Sequence, residues 1–189
     1  MAHTLHSGGA IGSDHQWGIQ GAAYGVIPYH YYLGEPTPYG NTRISEADAT
    51  EGVGKATVAA RQMGRIEPNQ FIRNPLIIRN WCQVKYAEAV FAITTMLPVG
   101  SLLDYGKTAL IRQGKGGTGY AIQMAINEGK PVFVFDQERQ DWFFHNHDGW
   151  RRSFVPTLTE NFAGIGTRQI NKYGVNAIKS VYCKTFKQC

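Results

Sequence analysis

The chain has 189 residues and a formal net charge of +5, with 17% charged and 12% aromatic residues. This length suits one domain, residues 1–189, with a full core, and the composition excludes a disordered or low-complexity chain. The mild positive charge fits an anionic ligand, a weak nucleic-acid surface or an ordinary solvated face, and alone it selects none of them.

A short strand is expected from about His3 to His6. It leads into Ser7-Gly8-Gly9-Ala10-Ile11-Gly12-Ser13-Asp14 and a helix from His15 to Tyr24, ended by Gly25. Ser13 and Asp14 are suitable N-caps. The turn lacks the spacing of the dinucleotide fingerprint and has no acidic ribose-binding partner where that motif needs one. Val26 to Tyr32 reads as a second strand, in which His30 is either a packed histidine or a ligand contact. Gly34 to Asn41 reads as a loop, either a lid over a binding face or a plain connection.

A helix is expected from Ser45 to about Met63, and another after Asn74-Pro75, with proline in its first turn. The second carries Leu76, Ile77, Arg79, Trp81, Val84 and Ala87. It is apolar on more than one face, with Trp81 and Tyr86 beyond what one sheet contact needs. A homodimer or higher homo-oligomer is therefore expected. Ala89 to Ile93 reads as a buried strand, and residues 94–114 read as an inserted loop or hairpin.

Lys115-Gly116-Gly117-Thr118-Gly119 then feeds the helical run Tyr120 to Glu128. Gly129 stops the helix, and Val132-Phe133-Val134-Phe135 reads as a strand buried on both faces. A glycine turn at a helix N-terminus aims free N–H groups and the positive dipole end at one point, which suits a phosphate or carboxylate. The other reading of the same residues is a tight turn.

From about residue 140 the chain looks like a C-terminal extension. Trp142, Phe143, Phe144 and Trp150 suggest surface packing. His145, His147 and Asp148 raise a metal site, but no third ligand set accompanies them and none is assigned. Phe162-Ala163-Gly164-Ile165-Gly166-Thr167-Arg168 reads as a third glycine turn that opens a helix through Ile170 and Val181. Arg168 is either a bidentate anion ligand or a surface arginine. Cys82, Cys183 and Cys189 make an odd count without metal spacing, which predicts a reducing compartment and no disulfide framework. No leader and no long apolar run is evident, so a cytoplasmic protein without a membrane span is expected.

The Ser7–Asp14 turn resembles the first motif of the SLOG superfamily. That group includes the Lonely Guy phosphoribohydrolases, molybdenum-cofactor-carrier-like proteins, DNA-processing A proteins and nucleotide sensors of antiphage effectors. Lys115–Gly119 resembles its phosphate-side motif. Arg79 followed by Ala87-Glu88-Ala89-Val90-Phe91-Ala92-Ile93 resembles the arginine and strand entry of the Lonely Guy enzymes. The resemblance implies a three-layer, Rossmann-like α/β sandwich with a mostly parallel sheet, the strands near Leu5, Tyr31, Phe91 and Phe133 being adjacent. It also implies a nucleotide-type ligand, with no firm cofactor. Ser7, Gly8, Gly9, Gly12, Asp14, Arg79, Gly116, Gly117, Thr118, Gly119, Gly166, Thr167 and Arg168 would hold that ligand. The Lonely Guy glutamates are replaced by Ile122 and Gln123, so binding without hydrolysis is expected, in a sensor, carrier or sink. If the protein is an enzyme, a nucleoside-phosphate N-glycosidase using Asp14 or Glu88 is the alternative. Single-stranded nucleic-acid binding is a further reading, although no basic stripe interleaved with aromatics stands out.

Overall fold

The computed structural model describes residues 2–68 and 74–188. In chain order it contains β1 (Thr4–Ser7), α1 (Ser13–Ala22), β2 (Ile27–Tyr32), β3 (Thr42–Arg43), α2 (Glu46–Met63), α3 (Pro75–Lys85) and β4 (Ala89–Thr94). A hairpin, β5 (Met96–Leu97) with β6 (Gln113–Gly114), leads to α4 (Thr118–Asn127), β7 (Val132–Asp136), β8 (Asp141–Asn146), β9 (Gly149–Ser153), β10 (Asn161–Gly166) and α5 (Lys172–Phe186). An eight-stranded sheet runs in the order β3-β2-β1-β10-β4-β7-β8-β9. All its pairs are parallel except β7 with β8 and β8 with β9.

The sheet is covered on both faces because its central strands alternate two apolar sets. Val90 and Ala92 of β4, Val132 and Val134 of β7 and Ala163 and Ile165 of β10 pack with α2, α3 and α4. Phe91 and Ile93, Phe135, Phe162 and Leu5 pack with α1 and α5 through Trp17, Ile178, Val181 and Tyr182. A strand with both faces covered has no polar face to show, which is why 89–94 and 132–136 are almost wholly apolar. α2 carries Ala56, Ala59 and Ala60 on its inner side, all fully buried, so it approaches its neighbours closely. Ser45 caps α2 by accepting from the Asp48 N–H, and Gly64 ends it in the left-handed region, at φ 74°. Asn74 caps α3, with Pro75 at its first position.

The adjacency expected for the strands near Leu5 and Phe91 is corrected. Phe91 and Phe133 are register partners, but β10 stands between β1 and β4, pairing Leu5 with Phe162 and Phe91 with Gly164. The segment read as a third glycine turn is therefore the central strand. Its glycines are needed for close approach: a Cβ on Gly164 would meet Leu5 Cδ1 and Trp17 Cγ at 2.7 Å. The supposed extension from residue 140 is likewise integral, supplying the β8–β9 edge, β10 and α5.

Trp81 is 3% exposed. It lies against Gly52 and beneath the Lys55 ammonium, so it supplies no free surface for a second copy. Cys82 is a buried free thiol, whereas Cys183 is disulfide-bonded, which corrects the expectation of unpaired cysteines. No helix among the described residues is long and apolar enough to cross a membrane.

Gly164→Ala should cost about 1–3 kcal/mol through overpacking. Gly54→Ala, on the exposed side of α2 with no atom near its added methyl, should stabilise by roughly 0.5–1 kcal/mol. Urea unfolding of both variants checks the contrast; equal effects would place β10 elsewhere.

Candidate functional site

A cavity of about 1000 Å³ opens over the carboxyl ends of the parallel strands. This is where α/β sheets bind ligands, because the loops that leave the strands diverge there and helix N-termini converge. β4 contributes Thr95, β7 contributes Gln137, and β10 contributes Gly166, Thr167 and Arg168. From the first glycine turn only Ala10 and Asp14 reach the wall. The start of α4 supplies Lys115, Gly116, Gly117 and Thr118, and α3 supplies Arg79, Asn80 and Gln83.

The first turn is closed on itself. Gly8 N–H donates to Asp14 Oδ2 at 3.2 Å, and Gly166 N–H donates to Asp14 Oδ1 at 3.1 Å. Ser13 donates to the Thr167 carbonyl through both Oγ, at 2.8 Å, and its backbone N–H, at 3.1 Å. Ser13 and Asp14 therefore bind the ends of β1 and β10 together, and Gly12 precedes the helix at φ 110° without a side-chain cap. Gly12 also packs on the Arg168 backbone, where a side chain would collide. The expected phosphate cradle at Ser7, Gly8, Gly9 and Gly12 is thus corrected. None of the four lines the cavity, and the Asp14 carboxylate already serves as the anion for this turn.

Ser7 is fully buried, and His30 is packed behind Gly9 rather than in the cavity. The loop before β3 also closes on the first turn and not over the cavity. Thr37 Oγ1 donates to the Gly8 carbonyl at 3.0 Å, and Tyr39 N–H donates to the Gly9 carbonyl at 3.3 Å.

The Arg79 guanidinium lies flat against Gly8, filling the space a Cβ would need. It donates to the Tyr31 carbonyl at 3.0 Å and lies 3.9 Å from Asp14 Oδ2. Arg79 is 5% exposed, and its Nε has no hydrogen-bond partner among the described residues. Burial lowers its pKa, Asp14 opposes that, and the Arg168 charge adds to the lowering. The two arginines are therefore electrostatic neighbours at one end of the cavity.

The second turn is built in the opposite sense. Its carbonyls are held and its amides are left open. Arg65 donates to the Gly116 carbonyl at 2.5 Å, to the Gly114 carbonyl at 2.6 Å and to Gln113 Oε1. Asn80 Nδ2 donates to the Gly117 carbonyl at 3.0 Å. Gly119 N–H is spent on the Gly116 carbonyl at 3.2 Å, and a Cβ on Gly119 would strike the Gly114 carbonyl, so Gly119 is structural. The N–H groups of Gly116, Gly117 and Thr118 have no acceptor among the described residues. α4 has no acidic residue in its first turn and no side-chain cap. The cradle is thus Gly116 to Thr118 rather than Gly117 to Gly119.

Arg65, Asn80, Gln83 and Gln137 were not singled out from the sequence. Asn80 and Gln83, polar beside Arg79 in an apolar helix, carried a usable signal. Arg65 and Gln137 carried none, because their partners lie far along the chain. Gln137 ties β7 to β10, donating to the Gln169 carbonyl at 3.1 Å and accepting from Asn171 N–H at 2.8 Å.

Glu88 is corrected as a catalytic candidate. It precedes β4 at the far edge of the sheet, where its carboxylate accepts from Asn161 N–H at 3.2 Å. Gln123 also faces away from the cavity, donating to Gln62 and Asn127. No cluster of three metal-ligating side chains exists among the described residues. Compared with known proteins, the chain matches no family model, no curated protein and no solved structure.

Burial outweighs the Arg79 charge and the N–H donors and lifts the Asp14 pKa to about 6. The native carboxyl holds its proton more tightly than an ordinary one at 3.8. Stability from Asp14 is therefore complete below about pH 4 and is lost as pH rises through about 6. Relative to Asp14→Asn, the protein should lose on the order of 3 kcal/mol between about pH 4 and about pH 7 in urea unfolding. A difference that does not change with pH would remove Asp14 as a titrating group.

Proposed function

We propose that the protein binds a nucleotide or nucleotide-derived ligand in this cavity and acts as a sensor, carrier or sink. The observation that carries the reading is the open amide run Gly116-Gly117-Thr118 at an uncapped helix start, in a cavity that also presents Arg79 and Arg168. A helix N-terminus with unspent N–H groups attracts an anionic oxygen, and a nearby guanidinium adds a charge-assisted donor. Ile77, Leu97 and Leu103 give the same cavity an apolar wall, so it suits a ligand with an anionic end and an apolar body. The resemblance of the glycine turns to the SLOG superfamily supports the same class of ligand. By analogy with its sensors, immune signalling or its viral antagonism is the setting we favour.

A second reading, hydrolysis of a nucleoside monophosphate to free base and ribose 5-phosphate, is favoured by one observation. Asp14 is a cavity carboxylate whose pKa is lifted to about 6 by burial, close to the working range of a general base. Both of its oxygens already accept backbone N–H groups, which argues for a positioning role instead.

Native mass spectrometry of freshly purified protein should show a bound nucleotide-type mass that is released on denaturation. In calorimetric titration Gly117→Val should abolish binding while leaving the melting temperature unchanged, because nothing in the chain lies within 4 Å of the added Cβ. Arg168→Ala should weaken binding by about 1.5–3 kcal/mol and Thr118→Val by about 0.5–1.5 kcal/mol. Undiminished affinity in folded Gly117→Val would remove the cradle. Incubation with nucleoside 5′-monophosphates should release no base. Steady release that rises through about pH 6 and is lost in Asp14→Asn would establish the hydrolase instead.

A further inference from the structure

The hairpin between β5 and β6 reaches the cavity with its tip. Leu102, Leu103, Asp104 and Tyr105 are consecutive and all line the wall. Below the tip the hairpin is firmly paired. Gly100 N–H donates to the Ala109 carbonyl at 2.8 Å, Ala109 N–H to the Ser101 carbonyl at 2.9 Å, and Leu103 N–H to the Lys107 carbonyl at 2.8 Å. Leu110 N–H donates to the Met63 carbonyl at 3.2 Å, anchoring the hairpin on the end of α2. The tip is therefore held in place by its own ladder.

At the tip Tyr105 has φ 57° and ψ 31°, the left-handed region, and Gly106 follows at φ 70°. Glycine adopts this conformation freely, whereas an aromatic residue does so at a cost. Tyr105 is 86% exposed and Leu102 is 81% exposed. Among the described residues the Tyr105 ring has no stacking partner and its hydroxyl no hydrogen bond. A costly backbone conformation thus holds a large, rigid, unpartnered ring at the rim of a ligand-sized cavity. Such strain concentrates where a site needs a side chain in a fixed place.

We propose that Tyr105 is the stacking platform for the planar heteroaromatic ring of the ligand. The hairpin then supplies a base subsite, while the α4 amides and the two arginines supply the anion subsite. This rests on the nucleotide reading and narrows it: the ligand carries a nucleobase as well as a phosphate, and a sugar phosphate alone is a poor occupant. The chemistry favours a ring over an aliphatic chain. An exposed tyrosine face gains offset stacking with any π-system, is indifferent to which base it meets, and surrenders little side-chain entropy. Leu102 and Leu103 flank it as the apolar border of the slot.

The test compares the four nucleoside 5′-monophosphates and ADP-ribose with ribose 5-phosphate, by calorimetry on the full chain. The variants are Tyr105→Ala and Tyr105→Phe, with melting curves and light scattering alongside. The tightest base-bearing ligand should bind the unaltered protein at least tenfold more strongly than ribose 5-phosphate. Tyr105→Ala should lower that affinity about tenfold and leave ribose 5-phosphate unchanged. Tyr105→Phe, which keeps the ring, should bind normally. If ribose 5-phosphate binds as well as the base-bearing ligands and Tyr105→Ala changes nothing, the platform fails and the phosphate reading stands. If no phosphate-bearing compound binds, both fail. Equal losses for both ligand types in Tyr105→Ala, or a drop in particle mass that assigns the ring to a contact between copies, would also overturn the platform.

Discussion

The structure depends on a carboxylate that the chain supplies to itself. Asp14, at the start of α1, accepts from the backbone of Gly8 after β1 and from Gly166 at the end of β10. Those two strands are neighbours in space and almost the whole chain apart in sequence. The carboxylate thus closes the central seam of the sheet at the end where the cavity opens. Two charge-assisted N–H bonds offset much of its desolvation, and Arg79 offsets more. Gly8 follows from the same contact, because only a residue without a side chain lets the guanidinium lie against the turn.

That internal anion divides the labour between two glycine turns that look alike. A helix N-terminus binds an anion because its first amides have no partner. At α1 the partners are already present: Asp14 and the Thr167 carbonyl occupy the donors. At α4 there is no acid in the first turn, and Arg65 and Asn80 hold the carbonyls from behind. The amides of Gly116 to Thr118 are consequently presented forward on a rigid frame. Such a frame binds without first having to be ordered, which lowers the entropic cost of association.

The cavity between these features is polar at the strand ends and apolar towards the hairpin and the start of α3. Arg65, Arg79, Lys115 and Arg168 face Asp14, Glu67 and Asp104 around it. The charges nearly balance, so the site is a local pole for one anionic group rather than a broad basic surface. This fits a small ligand better than a nucleic-acid strand, which would need cations along a groove.

The sequence by itself determined the layers and most of the elements. The unbroken apolar runs at 89–94 and 132–136 could only be doubly covered strands. Ser45, Gly64, Asn74, Pro75 and Gly129 marked helix ends through local chemistry that needs no distant partner. The glycine turns and their placement at strand ends were legible for the same reason. Only the tertiary structure decided that residues 161–166 form the central strand. Gly164 and Gly166 read locally as a turn, and their true cause is the approach of Trp17, Leu5, Ser13 and Ile93 from elsewhere in the chain. It also decided which turn is open. Whether an amide is free depends on whether a carboxylate or carbonyl reaches it, and Asp14 with Gly166, Thr167 with Ser13, and Arg65 with Gly116 are pairs that folding alone brings together.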